Sequence, residues 1–86
     1  MFETVDEENV LIDGELFNLK EMHRRINMIG DARLAHNANG AWGIVLNYYI
    51  LSKNGWELRK HQREIVANYI KKLKKMIYGR QHNGIV

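Results

Sequence analysis

Four histidines, one serine and one threonine are the residues here best suited to acid–base or nucleophilic work, and their spacing supports neither. His23, His36, His61 and His82 fall in four separate segments. No two share the i, i+4 spacing that sets paired imidazoles on one helix face. His61 and Glu64 stand one turn apart, but no third ligand follows at a comparable spacing. Solvated or locally bonded histidine is the expectation. Ser52 stands just before Asn54-Gly55, where a hydroxyl ordinarily bonds to backbone, and Thr4 lies in an acidic start. Neither a G-x-S-x-G elbow nor a Gly-rich phosphate loop occurs. The carboxylates cluster only in the N-terminal run, with no apolar pocket to raise a pKa. The sequence therefore predicts no catalytic residue, no metal, no cofactor, and a protein that is not an enzyme.

Charge carries more information. Up to Glu21 there are seven acids (Glu3, Asp6, Glu7, Glu8, Asp13, Glu15 and Glu21) against Lys20 alone. Beyond it stand twelve Lys and Arg against Asp31, Glu57 and Glu64. Such asymmetry points to a polyanionic partner for the basic part, or to an acidic start that folds back on the basic end. The expected nucleic-acid contacts are Arg59, Lys60, Arg63, Lys71, Lys72, Lys74, Lys75 and Arg80, with His82 extending the field and Arg24, Arg25 and Arg33 as a second edge. Each Lys or Arg that meets a phosphate releases condensed counterions, so binding would fall steeply with salt. The competing account is a solvated face that keeps a small protein soluble.

A second functional reading is a protein-binding regulator of a nucleic-acid-handling enzyme. It would dock through Glu3, Asp6, Glu7, Glu8, Asp13 and Glu15, beside apolar Phe2, Val5 and Val10. A helix-turn-helix with Gly55 in its turn fits poorly, because the core position six residues on is His61. Trp42, Tyr48, Tyr49 and Tyr69 are assigned to the core, which leaves Trp56 and Tyr78 as the aromatics able to stack on bases.

The elements that must position these residues read as one mainly α domain over residues 1–86. Residues 1–9 are expected to be mobile, and residues 80–86 to be a frayed tail. Asp13-Gly14 between Val10-Leu11-Ile12 and Glu15-Leu16-Phe17 signals a short hairpin with a type I′ turn, although an irregular loop is the alternative. Asn18, with Glu21 three residues on, caps an amphipathic helix whose apolar line is Leu19, Met22, Ile26 and Ile29. A break near Gly30, a further helical stretch and a loop over Asn37 to Gly40 follow.

Ala41 to Leu51, AWGIVLNYYIL, carries large apolar residues in every direction and is expected to be a buried helix, with a buried strand as the alternative. Its polar Asn47 is expected to be buried, bonded to backbone or to its own copy. Gly55 and Trp56 suit the positions that close a helix C-terminus. The longest element is a basic amphipathic helix from Glu57 to Tyr78, centred on Leu58, Ile65, Tyr69 and Met76, which Gly79 stops.

An all-round apolar helix needs more cover than two amphipathic neighbours give, so a homo-oligomer is a third reading. No cysteine occurs, no apolar run reaches the roughly 20 residues of a membrane span, and no basic-then-apolar leader opens the chain. A cytoplasmic protein without membrane contact is the expectation.

Overall fold

The computed structural model describes residues 1–79; Arg80, His82 and the rest of the expected tail lie outside the described residues. Three strands open the chain: β1 (Phe2–Thr4), β2 (Asn9–Ile12) and β3 (Glu15–Asn18). Three helices follow: α1 (Leu19–Asn27), α2 (Ala32–Lys53) and α3 (Lys60–Lys74), the last running into a π-helical turn, Lys75–Gly79. The fold is mainly α with a small antiparallel sheet in the order β1-β2-β3.

The Asp13-Gly14 hairpin forms as its sequence dictates. Both residues have positive φ, 50° and 80°, as a type I′ turn requires. Pairing Val10 with Phe17 and Ile12 with Glu15 puts Val10, Ile12 and Phe17 on one face, where all three are buried. Leu11 and Leu16 point the other way, and Leu16 is 60% exposed.

The acidic start, expected to be mobile, contributes a strand to the sheet. Phe2, Glu3 and Thr4 pair with Ile12, Leu11 and Val10, and the Met1 carbonyl accepts from the Asp13 N–H at 2.8 Å. The turn between β1 and β2 is closed by Asp6, whose Oδ1 accepts from the N–H groups of Glu8 (2.8 Å) and Asn9 (2.9 Å). A strongly acidic run thus folds because one of its own carboxylates satisfies the turn's donors.

Asn18 caps α1 by accepting from the Glu21 N–H at 2.9 Å. Glu21 does not reach back to complete a capping box; its carboxylate instead takes the Arg24 Nε at 2.9 Å. Met22 and Ile26 are fully buried, with Leu19 and Ile29 packed at the edge of the same core. The break falls at residues 28–31, and Asp31 starts α2 by accepting from the Leu34 N–H at 3.0 Å.

α2 then runs unbroken through Asn37 to Gly40, where a loop was expected. Gly40 and Gly43 are ordinary helical residues with open space around them. Over its full length α2 has one buried face: Ala38, Ala41, Trp42, Val45 and Tyr49. The expectation of a helix buried all round is therefore wrong. Asn47 is exposed, as are Ile50 and Leu51. α2 ends in a Schellman closure: Gly55, at φ 93°, donates to Ser52 O, and the Trp56 N–H reaches back to Leu51 O at 2.9 Å.

α3 starts at Lys60, three residues later than the Glu57 expected; residues 57–59 carry no regular structure, and Arg59 is the extended N-cap. Val66, Leu73 and Ile77 are its buried line, whereas Ile65, Tyr69 and Met76 sit half-buried at one side. The sheet covers one end of α2. There Phe2 lies 5.5 Å from the Tyr49 ring, and Thr4 Oγ1 meets Tyr49 Oη at 3.1 Å.

Candidate functional site

The N-terminal half of α2 and the C-terminal end of α3 lie side by side, and a groove of about 610 Å³ runs between them. Ala41, Ile44, Tyr69 and Met76 form an apolar floor; His36, Lys72 and Lys75 stand on its rim. Gly40 lines the α2 wall, and nothing lies within 4 Å of where a Cβ would be. Lys72 Nζ rests over the Tyr69 ring, 5.3 Å from its centroid, a cation–π contact at the groove edge.

The structure divides the basic residues expected to contact nucleic acid. Lys60, Lys71, Lys72 and Lys75 are exposed and have no acidic partner among the described residues. Lys74 instead reaches across to the sheet, its Nζ 2.9 Å from Glu15 Oε1. Arg63 folds back, donating from Nη1 to the Leu58 carbonyl at 2.9 Å. Arg59 is exposed at the N-cap of α3, and its N–H donates to Gln62 Oε1 at 2.8 Å. Arg80 is outside the described residues.

Glu64 is exposed on the helix between Lys60 and Lys71, so the unpaired positive charge concentrates at the C-terminal end. Cations there also complement the helix dipole. Of the second edge, Arg24 and Arg25 are taken up by Glu21. The Arg25 Nε lies 2.9 Å from that carboxylate as a charge pair without aligned hydrogen-bond geometry, and its guanidinium sits 5.0 Å from the Tyr78 ring. Arg33 is exposed one turn before His36.

The acidic residues are not gathered into one patch. Asp6, Glu7 and Glu8 lie at the β1–β2 end of the sheet, Asp13 and Glu15 at the hairpin end. Glu8 pairs with Lys20 at 2.7 Å, Glu15 with Lys74, and Asp6 is spent on its turn. The Asn9 side-chain amide, then the Glu8 N–H, holds the Asp6 carboxyl below its ordinary value. Glu3, Glu7 and Asp13 are exposed.

Sequence reasoning missed Ile44, Tyr69 and Met76 as site residues. Each fits an apolar stripe, and only the rotation of α3 against α2 brings them to a groove rather than into the core. Trp56 and Tyr78, the aromatics expected to be free, are indeed 49% and 42% exposed but do not line this groove.

Among the described residues no three His, Asp or Glu side chains come together to hold a metal ion, and no helix is long and apolar enough to cross a membrane. No family model, curated protein or solved structure matches the chain.

Proposed function

We propose that this chain is a non-catalytic binding protein that holds the phosphate backbone of a nucleic acid against the C-terminal end of α3. The observation that carries the reading is the clustering of Lys71, Lys72 and Lys75 within about one turn. All three are exposed and lack an acidic partner among the described residues. Lys60 lies eleven residues earlier, about 16 Å along the helix, and adds a further contact. If all four lysines meet phosphates of a duplex, log affinity should fall with log salt with a slope of about −3.6. Fluorescence anisotropy of a labelled duplex across a salt series tests this. Replacing the four lysines by Gln should remove the binding, and absence of binding at low salt overturns the reading.

A homo-oligomer is favoured by a separate observation. Between Asn37 and Ser52 α2 carries no charged residue, and its outer side presents Gly40, Asn47, Ile50 and Leu51 to solvent, with Gly43 half-buried beside them. In an antiparallel pair about a two-fold at Asn47, Ile44 would meet Ile50 of a second copy and Leu51 would cover its Gly43. Asn47→Asp places two like charges on the axis and should dissociate such a dimer; light scattering that finds only monomer at millimolar concentration overturns it. The acidic N-terminal reading has less to draw on, since Glu8 and Glu15 already pair within the chain.

A further inference from the structure

We infer that the groove between α2 and α3 takes an unpaired base, so that the nucleic acid held by this chain is single-stranded. The inference rests on the phosphate-binding reading above and adds to it a choice of strand. Phosphate contacts alone would not favour a single strand, because a duplex presents the denser charge to an exposed lysine face. What distinguishes them is an apolar or aromatic surface reachable only by a base outside a duplex stack.

This groove has both parts side by side. Lys72 and Lys75 stand on its rim, and the floor between them and Gly40 is uncharged: Ile44, Tyr69 and Met76. Its volume, about 610 Å³, lies within the range of ligand-binding clefts in general, about 300–1,000 Å³. Gly40 keeps the α2 wall low, since no atom stands within 4 Å of a Cβ built there. Tyr69 is half-buried, and what now lies over its ring is a lysine ammonium, 5.3 Å from the centroid. A base that stacks on that ring displaces Lys72 toward the adjoining phosphate, exchanging a cation–π contact for a charge pair. A duplex can offer the phosphates but not the base. The rim charge and the half-buried aromatic floor therefore select one class of ligand: a flexible polyanion with aromatic side groups.

Anisotropy of the full chain with labelled oligothymidylate of about 12 nucleotides, and with a duplex of the same length, tests the inference. The single strand is expected to bind at least about tenfold more tightly. Tyr69→Leu, which preserves an apolar side chain, should weaken single-strand binding by about 5- to 150-fold and duplex binding far less. Gly40→Leu fills the groove from a helical position with free space around it, so it should fold as well as the parent and lose the same preference. Circular dichroism of both variants confirms that the comparison is between folded chains. Equal binding of strand and duplex, unaltered in both variants, overturns the groove assignment and leaves backbone binding standing. Binding of neither, with the chain folded at low salt, overturns both. Heparin bound as tightly as the strand, with no effect of Tyr69→Leu, also overturns the assignment, because charge alone would then explain the affinity.

Discussion

Thr4 Oγ1 lies 3.1 Å from Tyr49 Oη, a hydrogen bond that ties the first strand to the buried face of α2 across 45 positions of sequence. With Phe2 packed 5.5 Å from the same ring, it makes the acidic N-terminus a structural part of the fold. Tyr49→Phe should lower unfolding free energy by about 0.5–1.5 kcal/mol, read from urea denaturation with unchanged m-value. A double-mutant cycle with Thr4→Val separates this bond from general packing; zero coupling would contradict the contact.

The glycines of α2 and its closure should respond in opposite directions. Gly40 and Gly43 are helical with open space at Cβ, so each change to Ala should stabilise by about 0.5–1 kcal/mol. Gly55 holds φ 93°, a conformation that L side chains rarely adopt, and Gly55→Ala should destabilise by about 1 kcal/mol or more. Thermal melts of the three variants check the sign of each.

Lysines that look alike in sequence should behave differently in binding. Lys74 is held by Glu15, whereas Lys75 has no acidic partner among the described residues. Lys75→Gln should therefore reduce the salt slope by about 1, and Lys74→Gln by less. Equal effects would show that the Glu15 pair gives way to phosphate.

Stability should decline in mild acid. The Asn9 amide and the Glu8 N–H depress the Asp6 carboxyl from its ordinary 3.8. The Arg24 hydrogen bond, with the charges of Arg24 and Arg25, does the same to Glu21 from 4.5. A depressed folded-state pKa means that the unfolded chain binds more protons in this window, so stability rises with pH across it. The contribution is complete above 4.5 and is lost as pH falls through 3.8 toward the lower folded-state values. Urea midpoints measured from about pH 6 down to about pH 2.5 should drop, and Asp6→Asn should flatten part of the drop.

What the sequence determined by itself is local. Asp13-Gly14 dictates its hairpin, Asn18 and the Leu19–Ile29 line dictate α1, and Asn54-Gly55-Trp56 dictates how α2 ends. In each case the information sits within a few residues, where turn geometry, capping and helical periodicity act.

Tertiary structure decided what depends on neighbours. An isolated Phe-Glu-Thr has no reason to be a strand until Ile12, Leu11 and Val10 offer it a ladder. Asn37 to Gly40 reads as a loop until Ala38, Ala41 and Trp42 gain a core to pack against, and that burial outweighs two helix-interior glycines. Periodicity gave the width of the apolar stripe on α3 but not its rotation. Contact with α2 and the sheet selected Val66, Leu73 and Ile77 for the core and turned Tyr69 and Met76 toward the groove. A helical wheel records which residues share a face; which part of that face meets a partner is settled only when the partner is in place.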